Sequence, residues 1–174
     1  PLISLIFQRG WVLAILMLLQ SISTMIITHY ESILVGFLIA YVGMLTSTGG
    51  NSGSQVSALV IEGLASGSLR MSQAFRFIRR EIVISVILGI LLGLIAFFRI
   101  YLLGGSIHEG WIVSITIVFI VIASVILGAI IPLFLKKLGM DPAYSAGPLL
   151  ATIMDIIGIM IFTSVAYFGT ALFL

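Results

Sequence analysis

Apolar residues fill the stretches between charges almost without a break, and those stretches are of similar length. They predict helices at about residues 10–28, 32–61, 82–103, 110–135 and 147–172, because crossing a hydrocarbon core of about 30 Å takes about 20 residues at helical rise. Arg99 falls near the end of the third stretch, where a long side chain is expected to snorkel to the interface. Trp11, Tyr30, Tyr101 and Trp111 stand near the ends, as interfacial aromatic anchors do. The segment from Ser66 to Glu81 carries four Arg among Leu69, Met71, Phe75, Phe77 and Ile78, and is expected to form a short helix lying on the membrane surface.

Composition turns these stretches into membrane spans. The chain is 61% hydrophobic and 8% charged, against about a quarter charged in soluble domains, which excludes a soluble globular protein. The expected fold is an all-α membrane protein with five transmembrane helices, one transmembrane domain over residues 1–174 with no separate aqueous domain. Five crossings put the termini on opposite sides. Arg9, Arg70, Arg76, Arg79, Arg80, Lys136 and Lys137 then share one side and Arg99 takes the other, so the N-terminus is expected in the cytoplasm and the C-terminus outside. The sequence has no Cys and two His, which excludes thiolate chemistry and leaves a hard, oxygen-liking ion as the metal to expect. No nucleic-acid partner is expected.

Two places carry polarity where hydrocarbon should exclude it. Asp155 lies inside the last span with no basic residue after it, at a cost of about 2.5 to 3.5 kcal/mol if central, and such carboxylates face water-filled cavities or the bundle interior. Counted from Pro148 as a first-turn residue, Asp155 would lie about 10 Å along the helix, sharing a face with Pro148, Ala151 and Thr152. The second place is the run Thr46-Ser47-Thr48-Gly49-Gly50-Asn51-Ser52-Gly53-Ser54-Gln55 in span two. Such a run either lines water or serves as polar glue between closely packed helices. Asn51 and Gln55 are one turn apart and share a face, and their amide oxygens suit Mg²⁺, Ca²⁺ or the waters around them. Gly49/Gly53, Gly63/Gly67 and Gly89/Gly93 have the four-residue spacing of close helix packing.

Catalysis fits poorly. Gly50-Asn51-Ser52-Gly53 has the G-x-S-G pattern of a rhomboid-type serine nucleophile, but its base would have to be His29 or His108, both in loops expected outside. An aspartyl intramembrane protease needs two carboxylates at one site, and one intramembrane carboxylate per chain is expected here. The chain is expected not to be an enzyme.

The run Gly49-Gly50-Asn51-Ser52-Gly53-Ser54-Gln55, followed by Asp141-Pro142-Ala143 and by Pro148-Leu149-Leu150-Ala151-Thr152-Ile153-Met154-Asp155-Ile156-Ile157-Gly158, resembles the membrane domain of the MgtE family of magnesium channels and transporters. The resemblance implies a homodimer of five-helix subunits whose ion path runs between them, lined mainly by spans two and five. It implies that Asp155 binds hydrated Mg²⁺, the transported ion, with the Ala151 carbonyl nearby, and that Asn51, Gln55, Thr152, Gly147 and Pro148 line the path or touch the ion's waters. Neither the acidic N-terminal domain nor the paired CBS domain of bacterial relatives is expected in this sequence, and Gly147 stands where some relatives have Asn. The function to expect is movement of Mg²⁺ into the cytoplasm of a bacterium or archaeon across its plasma membrane. Transport of divalent cations coupled to H⁺ or Na⁺ is the alternative, since a lone buried Asp can carry either.

Overall fold

Within hydrocarbon every backbone N–H and C=O must be satisfied inside the protein, and a helix does this within one segment. The computed structural model describes residues 2–34 and 38–172, among which there is no strand. In chain order they form α1 (Leu2–His29), the single turn α2 (Glu31–Leu34), a 3-10 turn (Leu38–Tyr41), α3 (Val42–Ser66), a second 3-10 turn (Met71–Gln73), α4 (Ala74–Leu102), α5 (Ile107–Lys137) and α6 (Pro142–Leu172). Among the described residues four stretches are long and apolar enough to cross a membrane: Gly10–His29 in α1, Met71–Leu102 over the second 3-10 turn and α4, Ile107–Lys137 in α5 and Ala146–Thr170 in α6. Helix α3 has the length, at 25 residues, but not the hydropathy, because the Thr46–Gln55 run falls within it.

Helix α5 is the axis of the bundle. It packs against α4, α3 and α6, whereas α1 meets the bundle chiefly along α6. The contrast shows in burial: 56% of the apolar stretch of α5 is buried, against 6% of that of α1. Leu45, Ile100, Ile120, Leu150, Met154 and Phe162 are fully buried together in the core. The α5 start is a reciprocal cap in which the Ser106 hydroxyl accepts from the Glu109 N–H at 3.1 Å and the Glu109 carboxylate accepts from the Ser106 N–H at 2.8 Å.

Several expected boundaries move. Span two is not one helix from 32 to 61: the chain turns through α2 and the 3-10 turn, with residues 35–37 outside the described ones, and α3 begins at Val42. The polar run does not break α3; the interruption lies upstream of it. The expected surface helix at 66–81 is also corrected. Gly67 ends α3 in the left-handed region (φ 74°), where L side chains are strained; Arg70 precedes the second 3-10 turn, and Arg76, Arg79 and Arg80 already lie in the first turns of α4. Most of the segment expected as a separate helix thus belongs to the start of α4. Span five begins at Pro142 rather than 147, because the Asp141 carboxylate accepts the Ala143 N–H at 3.0 Å as an N-cap and Pro142 follows it as a preset first residue.

The glycine pairs sort by what lies against them. A Cβ on Gly53 would come within 2.9 Å of the Ser124 backbone oxygen, and one on Gly89 within 3.1 Å of the Val118 Cα, so Gly49/Gly53 and Gly89/Gly93 admit α5 closely on two sides. Gly63/Gly67 does not join two helices. Gly63 faces Leu69 of its own returning chain, and Gly67 is the cap.

Candidate ion site

Because α6 starts at Pro142, Asp155 lies about 20 Å into it rather than about 10 Å. Pro148 is interior, which membrane helices tolerate when neighbours satisfy the carbonyl it frees. Gly147, Pro148 and Ala151 are exposed on the outside of this subunit, and Asp155 is half-buried at the end of their stripe. Thr152 is turned the other way and is buried. The Ala151 carbonyl sits one turn before Asp155, where a helix directs it toward the Asp155 N–H and leaves its second lone pair outward.

Among the described residues the carboxylate has one hydrogen-bond partner. Gln20 Nε2, on α1, donates to Asp155 Oδ2 at 2.6 Å, a short, charge-assisted contact if the carboxyl is ionised. Around it lies a pocket of about 380 Å³ between α1, α3 and α6, whose polar lining is Gln20, Ser21, Ser23, Thr24, Thr46 and Asp155. Among the described residues no group of three His, Cys, Asp or Glu is placed to hold a metal. One subunit therefore brings a single carboxylate to this place.

Asn51 and Gln55 are elsewhere. Both are exposed and line a separate groove of about 710 Å³ between α3, α4 and α5, together with Thr48, Ser52, Ser85 and Glu81. At about 100° per residue they lie roughly 140° and 180° around α3 from Thr46, so a single chain cannot turn all three toward Asp155. Glu81 is buried and its Oε1 is paired with Arg80 at 2.7 Å, which offsets the cost of a buried charge.

Gln20, Ser23 and Thr24 are what the sequence reading missed. The signal was available as the run Gln20-Ser21-Ile22-Ser23-Thr24 within span one, a polar patch without a charge.

Sequence comparisons place these features in a wider group. The profile of MgtE, described as a divalent cation transporter, matches residues 42–165. The Magnesium transporter MgtE of Thermus thermophilus is 35% identical over 156 residues, covering 88% of this chain and 34% of that protein. The proteins of the same name from Bacillus subtilis and Enterococcus faecalis are 32% and 26% identical, covering 91% and 90% of this chain and 35% of each of theirs. The chain spans about a third of the length of the curated relatives it matches.

Proposed function

The chain belongs to the MgtE family of divalent cation transporters, a family of transporters rather than enzymes, and on that premise we propose that it passes hydrated Mg²⁺ into the cytoplasm. The observation that carries this reading is Asp155: a half-buried carboxylate about 20 Å into a long apolar helix, at the end of an exposed stripe of small residues. Mg²⁺ gives up its waters reluctantly. A site that offers a carboxylate, the outward face of the Ala151 carbonyl and the open surface of Gly147 and Pro148 can hold the ion with its waters in place.

One carboxylate is too little charge for a divalent ion. A two-fold pair of subunits facing each other along the Gly147, Pro148 and Ala151 stripe would bring two Asp155 to one axis, and homodimerisation belongs to the proposal for that reason. Asn51 and Gln55 of the α3 groove then lie away from the Asp155 pocket of their own subunit. Single-molecule photobleaching in lipid should show two steps per functional particle; a functional one-step particle removes the dimer.

The experiment that tests the function is Mg²⁺ flux into proteoliposomes with and without an imposed H⁺ or Na⁺ gradient. Flux that follows the Mg²⁺ gradient and membrane potential alone supports passive permeation. Flux that requires the second gradient supports the coupled alternative, and no flux in either condition overturns both. The proposed plasma-membrane orientation has a separate check. Ser72 is exposed in the 3-10 turn before α4, and in a chain without cysteine a Ser72→Cys variant carries the only thiol. It should escape an impermeant reagent added outside intact cells; labelling from outside would reverse the topology.

A further inference from the structure

The sequence directs attention to α3 and α6, yet the Asp155 carboxylate is held from α1. Ser23, on the same α1 face, is 7% exposed, and its hydroxyl finds no hydrogen-bond partner among the described residues. A buried hydroxyl left unpaired costs about 1 to 3 kcal/mol, and such groups are normally satisfied by ordered water. The pocket it lines is open, has about 380 Å³ of space, and is lined by Gln20, Thr24, Thr46 and Asp155 as well as by apolar Met17 and Ile159. At about 30 Å³ per molecule that space holds on the order of ten waters. An apolar void of this size would stay dry, but one containing a carboxylate and an unpaired hydroxyl has the partners that water needs.

We propose that the pocket beneath α1 is a hydrated part of the ion path, in which Gln20 is the positioning residue that aims the Asp155 carboxylate. The proposal rests on Asp155 being the ion site. Gln20 can serve both conditions of the site. Its amide nitrogen donates to Oδ2 in the structure, which holds that oxygen toward α1 and leaves the other for an arriving ion. Its amide oxygen, which a rotation of the side chain exposes, accepts hydrogen bonds from the waters that ion carries. Ser23 and Thr24, three and four residues further along α1, continue the same face by helical spacing and supply hydroxyls to the same waters. Helix α1 is otherwise peripheral, apolar and mostly exposed, so its Gln-Ser-Ile-Ser-Thr patch is polar where it meets α6 and the Asp155 carboxylate.

Two measurements test this, one of them independent of transport. The chain has no cysteine, so Ser23→Cys and Leu18→Cys each carry a single thiol, the latter on the outer surface of α1 where Leu18 is 66% exposed. In reconstituted protein a small cationic methanethiosulfonate should modify Ser23→Cys several-fold faster than Leu18→Cys, and saturating Mg²⁺ should slow the first reaction. Equal rates would mean a dry pocket and overturn the proposal. The second measurement is Mg²⁺ flux through Gln20→Met, which keeps the length of the side chain and removes its donor. The half-saturating Mg²⁺ concentration should rise about tenfold, as when an outer partner of a metal ligand is lost, with a smaller effect on maximal rate. A variant altered only in maximal rate, or not at all, overturns the role of Gln20. Protein that passes no Mg²⁺ but keeps the cysteine rate difference removes the transport reading while retaining the wet pocket.

Discussion

Asp155→Asn protein should fold, insert and associate as wild type does, yet lose Mg²⁺ flux by at least about a hundredfold and discriminate poorly between Mg²⁺ and Na⁺ or K⁺. The substitution keeps size and hydrogen-bonding reach, so the Gln20 amide can still pair with the new side-chain oxygen, and only the charge goes. In the proposed dimer, two carboxylates about 5 Å from a divalent ion, in an effective dielectric near 20, would give a gross attraction of about 13 kcal/mol, and a monovalent ion would receive half of it. Partial dehydration of Mg²⁺ and repulsion between the carboxylates oppose that gain. If about a fifth survives, it amounts to about 2.7 kcal/mol, which is a hundredfold in occupancy. Proteoliposome flux with competing monovalent ions measures this directly. Wild-type selectivity in the variant would make Asp155 a structural carboxyl held by Gln20.

Charges and long apolar runs were enough to locate the helices, because membrane burial leaves the backbone few alternatives. The same rule blurred their ends. Residues 32 to 41 contain one Gly and no charge or Pro, so a reading delimited by charges ran across a place where the chain turns twice before α3. At the start of α6 two prolines competed. The sequence favours Pro148 as the first turn, whereas Asp141-Pro142 carries both a cap and a preset φ, and a helix flanked by others tolerates an interior Pro. Asp155 stood out as a lone acid, but which groups face it could not be inferred from one strand of sequence. Gln20 is 135 residues away, and its pairing depends on α1 lying along α6, a tertiary arrangement with no local signal. Asn51 and Gln55 illustrate the converse. Their spacing correctly put them on one face, while the face of α3 that turns toward α6 is set by the glycines that admit α5.

Those glycines lead to a prediction about stability rather than transport. Gly128→Val should destabilise the protein in detergent by about 3 kcal/mol, and Gly128→Ala by up to about 2 kcal/mol, read as loss of unfolding free energy or of Tm. A Cβ on Gly128 would collide with the Gly53 carbonyl oxygen and stand 3.0 Å from the Gly53 Cα, so backbone meets backbone and no rotamer change relieves the contact. One turn away the Ser124 hydroxyl donates to the Gly49 carbonyl, a bond that also requires α3 and α5 to stay this close. Inserting a methyl into packed structure costs about 1 to 3 kcal/mol, from which the better helix propensity of Ala returns about 1 kcal/mol; the two further carbons of Val receive no such return. Gly50→Ala is the control, on the facing helix α3 with nothing within 4 Å of its Cβ. The same chemical change there should be neutral or stabilising by up to about 1 kcal/mol. Opposite signs at Gly128 and Gly50 would show that the glycine-rich run owes its composition on the α5 side to helix contact. Equal effects at the two positions would mean that α3 and α5 do not approach this closely, and that Ser124 and Gly49 are not in contact.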